Sequence, residues 1–271
     1  MAFLPRHVES LQTWLHQARE VVVVDSFSTD GTADFLRAKL RHPNLRVLSH
    51  PPGLYPSWNF GVQSLTSEYA YISTAGDCAL PDGVARLAET ARRLDCEVVL
   101  SKPVFRNAHG EILLKKRWTI HKYLDARGLA EPAVIPQAHL FLTSAFEGLA
   151  GMMGSAASNL YKTSTLKSLP FPSDFGHCGD TAWGVGNAFT VRVAVAPRPC
   201  AEFLIHHEPF ETGAEAADLE AKLLGLARAS LAERLKKPAP PDANTLAEVI
   251  RIISARNVTR IERRRYEDEN G

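Results

Sequence analysis

Four stretches of this sequence set acids, hydroxyls or histidines where chemistry could be done. In the first, an apolar run from Val21 to Val24 passes into Asp25-Ser26-Phe27-Ser28-Thr29-Asp30-Gly31-Thr32, an acidic, hydroxyl-rich turn. Ligands of open α/β sheets bind beyond the carboxyl ends of the strands. A carboxylate there can accept hydrogen bonds from a nucleobase or ribose; the plain alternative is a strand-to-helix cap. The pattern recurs at Ser73-Thr74-Ala75-Gly76-Asp77, where Gly76 lets a ligand approach the backbone. One carboxylate with a diphosphate is a usual way to hold Mg²⁺ or Mn²⁺, and a simple turn acid is the alternative. Further on, Asp180 stands at the start of a helix, where free N–H groups favour the ionised form and where it also suits a cap. Last, Phe203-Leu204-Ile205 runs into His206 and His207, able to ligate a divalent metal or neutralise a phosphate. Strand parity leaves open which of the two faces a site.

The elements that must position these residues alternate. Val8, Leu11, Trp14 and Leu15 recur at helical spacing after a first-turn Pro5. The valine run reads as a strand buried on both faces, followed by a helix over Asp30 to Leu40 capped by Ser28 or Asp30. A strand at Leu45 to Ser49, a helix at Pro56 to Ser64, a strand at Tyr69 to Ser73, a helix after Pro81 and a strand at Glu97 to Ser101 continue the series. Alternation of this kind argues for an α/β sheet with parallel crossovers. Regularity breaks down near residue 102 and returns at Ala156 to Tyr161, Gly179 to Phe189, Val191 to Val195 and Glu202 to His206. Two amphipathic helices close the chain, marked by Leu219, Leu223, Leu226 and Leu231 and by Leu246, Val249, Ile250, Ile253 and Ile261.

Composition excludes several classes. With 271 residues, 45% apolar and 23% charged, the chain is neither collagenous nor disordered. No apolar run approaches the ~20 residues of a membrane span, and the N-terminus lacks the pattern of a secretory signal, so a cytoplasmic location is expected. Four cysteines without C-x-x-C spacing are expected to be reduced thiols. The net charge of +1 hides six arginines between Arg251 and Arg265 against the single Glu262. A solvated face is the ordinary reading of such a run. An anionic membrane surface, at the inner face of the membrane, is the partner that Arg251 to Arg265 suits as a peripheral contact; nucleic acid is not the expected partner.

Val21 to Thr32, Ser57-Trp58-Asn59-Phe60-Gly61, Ser67 to Asp77 and Leu80-Pro81-Asp82-Gly83 follow one another in an order that resembles the nucleotide-sugar half of family 2 glycosyltransferases. The resemblance covers residues 20 to 85. It implies an A-type glycosyltransferase fold, a Rossmann-like and mostly parallel α/β sheet with C-terminal helices, here lacking the usual first strand. It further implies that Asp25, with Ser26, Ser28 and Asn59, holds the base, and that Ser73, Thr74 and Gly76 meet the ribose and diphosphate of a UDP- or GDP-sugar. A divalent Mn²⁺ or Mg²⁺ would rest on Asp77 with His206 or His207, because Thr74, Ala75 and Gly76 stand where the family has D-x-D. Asp180 with Trp183 takes the place of the family's base and its following aromatic. Trp58, Trp183 and Glu147, in the segment from Leu142 to Ser155, are the acceptor-side candidates, since an aromatic face can stack on a sugar.

On this reading residues 1–212 form the catalytic domain, with a nucleotide-sugar half (1–101) and an acceptor half (102–212), and residues 213–271 carry the helices and the basic stretch. The expected reaction is transfer of a sugar with inversion to a hydroxyl of a saccharide or lipid-linked saccharide, with Asp180 as general base. The competing reading is a catalytically degenerate nucleotide-sugar-binding protein of the same fold, supported by the altered D-x-D and the missing strand.

Overall fold

β-Branched runs bounded by acids and turn residues form the strands, and apolar stripes at helical spacing cover them. In the computed structural model, residues 4–146, 152–205 and 214–237 are described. Helix α1 (Leu4–Trp14) leads to β1 (Val21–Asp25), α2 (Thr32–Lys39), β2 (Leu45–Ser49) and α3 (Leu54–Gln63). Then come β3 (Tyr69–Ala70), β4 (Cys78–Ala79), α4 (Gly83–Leu94), β5 (Val98–Ser101) and β6 (Val104–Asn107). The middle of the chain forms α5 (Thr119–Arg127), β7 (Ala133–Val134) and α6 (Gln137–Phe146). The remainder is β8 (Asn159–Lys162), α7 (Thr163–Ser168), α8 (Gly179–Asn187), β9 (Val193–Ala196), β10 (Ala201–Ile205) and α9 (Ala214–Leu235).

Among the described residues the strands form three sheets. The largest runs β3-β8-β5-β9-β7, with β5 and β9 parallel and fully buried, and β8 and β7 antiparallel to their neighbours. The sheet is thus more mixed than the alternating sequence pattern suggests. Strand β8, reached only after the irregular middle of the chain, inserts between β3 and β5. A small sheet, β4-β10-β6, carries the Asp77 loop against the end of the chain's last described strand. Strands β1 and β2 pair with each other alone, parallel, with Val23 opposite Val47.

Two sequence expectations change here for one reason. Val21 to Val24 are only half-buried, not buried on both faces. The strand expected over Tyr69 to Ser73 is regular only at Tyr69–Ala70. In both, one edge is paired and the other faces a cavity rather than a neighbouring strand.

The main core gathers Val98, Leu100, Phe141, Tyr161 and Trp183 around the large sheet. Leu219 and Leu223 of α9 are buried, and Leu226 packs on the same side. All four cysteines are buried and free. No described helix is long and apolar enough to cross a membrane. The second C-terminal helix and Arg251 to Arg265 lie outside the described residues.

Candidate functional site

Strand β1 delivers Asp25 to its carboxyl end, where the side chain is 8% exposed. Phe27 takes a φ of 56°, uncommon for an aromatic residue. The Ser28 N–H turns back and donates to Asp25 Oδ2 at 3.1 Å. Helix α2 is served separately, by Asp30 Oδ1 accepting from the Thr32 N–H at 3.1 Å. Asp25 Oδ1 is buried and accepts from no group among the described residues. An acceptor left this way costs free energy until a donor fills it, so it marks a place for a ligand N–H or O–H.

Asp25 lines a cavity of about 780 Å³. Of the residues the sequence singled out, Asp25, Ser26, Ser28, Trp58, Ser73 and Thr74 line it. Ser57 joins them, its hydroxyl 3.4 Å from that of Ser26. The sequence flagged Ser57 only as part of the Ser57 to Gly61 motif. Gly61 earns its place by packing, since a Cβ there would stand 3.1 Å from Val24 Cγ2.

Asn59 does not belong to the cavity. Its amide donates to the Phe171 carbonyl at 2.8 Å and accepts from the Phe171 N–H at 2.9 Å, tying α3 to the loop after α7. Both ends are used, which corrects the expectation that it meets the base. Gly76 does not line the cavity either; its φ of 108° serves the turn before Asp77.

Asp77 is 7% exposed and its carboxylate is occupied by protein donors. Oδ2 accepts from the hydroxyls of Thr74 at 3.3 Å and Ser155 at 3.2 Å, and Oδ1 from the Leu204 N–H at 3.3 Å. The backbone carbonyl of Asp77 is held by His7 Nδ1 at 2.9 Å. Among the described residues no three histidines, cysteines or acids cluster as metal ligands, and His206 and His207 lie outside them. The described groups therefore do not fit a divalent ion at Asp77. This carboxylate fastens its loop to β10 instead, and Ser155, with φ of 51°, is the partner that sequence reading missed.

Asp180 sits in the first turn of α8, part-buried. Burial pushes its carboxyl up to about 6, against the Thr181 N–H, which donates to Oδ1 at 2.7 Å, and the Tyr55 hydroxyl, both of which favour the charge. Tyr55 is buried and also donates to the His177 carbonyl at 2.7 Å. A carboxyl held near neutrality can both take and release a proton. Helix α3 connects this group to Asp25: Ser57 and Trp58 line the cavity, while Tyr55 touches Asp180.

The acceptor-side candidates divide. Trp58 lines the cavity and packs edge-on to Tyr55 and Phe171. Trp183 is 1% exposed, donates from Nε1 to the Leu169 carbonyl at 2.6 Å and packs among Tyr161 and Phe171. It is a core residue, and the expectation of a sugar-stacking face is corrected. Met152 and Met153, in the segment expected to meet an acceptor, are fully buried, and Glu147 lies outside the described residues.

Comparison with solved structures places this architecture among A-type glycosyltransferases. The crystal structure of S. aureus TarS residues 1–349 in complex with UDP superposes with a TM-score of 0.57 at 16% identity, over 84% of this chain and 62% of that one. Its complex with UDP-GlcNAc matches at 0.57 and 17%, over the same shares, and longer TarS at 0.56 and 17%, over 86% of this chain and 40% of that one. The chain thus spans less than two thirds of the length of these structures, and identity this low speaks for the fold. No curated protein matches the sequence as a relative. The Rossmann-like fold implied by the motif order is borne out, and the family model for "Glycosyl transferase family 2" matches residues 2–147. More than half of the sequence carries that match, and the chain belongs to glycosyl transferase family 2.

Proposed function

We propose that the chain transfers a sugar from a nucleotide diphosphate donor, UDP-linked in the first instance, to an acceptor hydroxyl with inversion. The observation that carries this reading is Asp25 at the end of β1, whose buried Oδ1 has no partner among the described residues and which lines a cavity together with Ser26, Ser28, Ser73 and Thr74. A uracil presents an N–H donor suited to such an acceptor. The choice of UDP over GDP is supported by the TarS structures, which contain UDP and UDP-GlcNAc.

In this reading Asp25 and the surrounding hydroxyls orient the nucleotide, and Asp180 takes the proton of the acceptor hydroxyl as its oxygen attacks the anomeric carbon. The bond to the diphosphate breaks on the opposite face, and the nucleotide diphosphate leaves with the electron pair. Burial raises the basicity of Asp180 at the cost of its ionised fraction, and Tyr55 and the Thr181 N–H restore part of that fraction. No step is derived through a metal, because the Asp77 carboxylate is already occupied.

That occupied carboxylate favours one second reading, a protein that binds a nucleotide-sugar without turning it over. Titration calorimetry with UDP, GDP and UDP-GlcNAc, followed by donor hydrolysis or transfer with the wild type and Asp180→Asn, separates the two. Transfer that depends on Asp180 supports the enzyme. Binding without turnover in either protein supports the second reading, and no binding of any nucleotide overturns both.

A further inference from the structure

Strand β6, in the small sheet, forms a hairpin with the run that follows it. The chain turns where the Gly110 N–H donates to the Asn107 carbonyl at 2.9 Å, and it returns antiparallel so that Ile112 bridges Arg106. The Leu113 N–H then reaches the Phe105 carbonyl at 2.9 Å, and a second turn follows at once, closed by the Lys116 N–H on the Leu113 carbonyl at 3.1 Å. Leu114 and Lys115 are therefore the two corner residues of a tight turn.

Such corners ordinarily carry Gly, Pro, Asn, Asp or Ser. Here one is a leucine 86% exposed, the most exposed large apolar side chain among the described residues, and Ile112, two residues before it, is 49% exposed. Lys115, Lys116 and Arg117 follow without a break, all exposed, as the longest basic run among the described residues. Arg117 pairs with Asp125, while Lys115 and Lys116 have no ion pair among the described residues. From Lys102 to Arg127 seven lysines and arginines stand against only Glu111 and Asp125, in a chain whose net charge is +1. A solvated charge run does not account for Leu114, and a scattered surface leucine does not account for the lysines.

The turn is firmly mounted. Trp118, directly after it, packs edge-on to Phe105 at 4.9 Å and to Phe203 of β10 at 4.8 Å, and a Cβ on Gly154 would stand 2.9 Å from its ring. Strand β10 and Ser155 are also what hold the Asp77 carboxylate. The apolar-tipped basic turn is thus fixed to the framework of the Asp77 loop.

We propose that this turn is a contact for an anionic lipid surface, with Leu114 and Ile112 entering the boundary between headgroups and acyl chains and Lys115, Lys116 and Arg117 lying against the lipid phosphates. Charge decides between occupants. A second copy would bring the same three cations to the contact and be repelled, whereas an anionic surface gains from each of them. The apolar pair decides against a partner that offers charge alone, because a nucleic-acid backbone gives Leu114 and Ile112 nowhere to leave water, and a bilayer does. The contact is separate from Arg251 to Arg265, which lie outside the described residues. It would hold the Asp77 framework beside the membrane plane. The inference goes beyond the transferase reading and stands without it.

The test uses the full chain with vesicles of phosphatidylcholine, alone or with about one third phosphatidylglycerol. Partition is read by flotation. Leu114→Cys carrying an environment-sensitive dye, selective because the four native thiols are buried, reports whether position 114 leaves water. The expected result is binding to the anionic vesicles only, weakened by salt, with a blue shift of the dye and quenching by brominated acyl chains. Leu114→Ser should lower partition about tenfold and the pair Lys115→Gln with Lys116→Gln about 25-fold, both at the wild-type Tm because these side chains are exposed. Arg92→Gln with Arg93→Gln, the same charge loss at exposed positions of α4, should lower it less than about threefold. The inference is overturned if anionic vesicles do not bind, if the dye stays in water on the bound protein, if the turn variants partition as the wild type, or if the α4 pair loses as much as the lysine pair. A dye response as large with polyglutamate or RNA as with vesicles also overturns it, by making the partner an acidic macromolecule.

Discussion

Replacing Tyr55 by Phe should move the acidic limb of the pH–rate profile upward while leaving the fold intact. Asp180 titrates at about 6, raised by burial and lowered in part by the Tyr55 hydroxyl. That hydroxyl has one hydrogen, which it also offers to the His177 carbonyl at 2.7 Å. A hydrogen bond to a charged group contributes ~1.5–3 kcal/mol, and sharing brings the loss down to about 1 kcal/mol. At 1.36 kcal/mol per pH unit this shifts the limb by roughly 0.7 unit. The assay is kcat/KM for sugar transfer between about pH 5 and 8, fitted to a single ionisation that must be deprotonated for activity.

Asp180→Asn gives a second reading of the same group, through stability. Because the folded-state carboxyl is raised above its ordinary value of 3.8, its ionisation opposes folding. Stability from this group is therefore present below about pH 4 and lost as pH rises through about 6. The Asn variant should be more stable than wild type at pH 7, by about 1–2 kcal/mol after allowing for solvent screening, and no more stable near pH 4. Its transfer rate should fall by about 10²–10⁴-fold. A limb that stays in place in Tyr55→Phe, or an Asn variant that keeps more than about a tenth of the activity, would refute the assignment of Asp180 as the base.

Three further outcomes are expected. Asp25→Asn turns an acceptor toward the ligand into a donor and should weaken UDP binding by about 10- to 100-fold in calorimetry, with an unchanged affinity counting against the pocket. Glu20 is held at about 2: burial alone would raise it, but the Ser67 hydroxyl, the N–H groups of Thr66 and Ser67 and the Thr66 hydroxyl outweigh that effect. Its contribution is complete above its ordinary value and lost as pH falls toward about 2, so Glu20→Gln should destabilise by about 1–2 kcal/mol at pH 7 and by little at strongly acidic pH, as read by urea denaturation. Gly83→Ala would place a methyl 2.1 Å from the Cys200 carbonyl oxygen and should cost about 3 kcal/mol in the same assay; a loss below about 1 kcal/mol would mean that α4 moves aside freely.

Asp25 was legible in the sequence because a strand-forming run that ends in an acid leaves few other places for that acid to go. Trp183 was not. An aromatic in the first turns of a helix suits a ligand face and a core equally, and the residues that bury it, Tyr161 and Phe171, come from other elements. Asn59 was misread for a similar reason, since both ends of its amide are taken by a backbone 112 residues away. Helices α1 to α4 and α8 were placed to within about two residues, but α5, α6 and α7 fall in stretches where the sequence pattern shows no regular helix, and the sheet order was not legible. Nothing local tells β8 to enter antiparallel between β3 and β5, or β1 to stand beside a gap. Tyr55, Ser155 and Glu20 left no chemical signature, because a hydroxyl or an acid becomes part of a site only through what it meets.

Helix α3 carries Ser57 and Trp58 on the cavity and Tyr55 against Asp180, and Asn59 anchors it to Phe171. On the proposed function, donor and base are both held by this one helix, and their spacing is settled when the chain folds instead of at each turnover. Drift at either end of this helix is then visible to selection at the other. Substitutions along Tyr55 to Asn59 should be accepted in compensating sets, so that lineages exploring new acceptors would change the loops around α3 long before they change α3 itself.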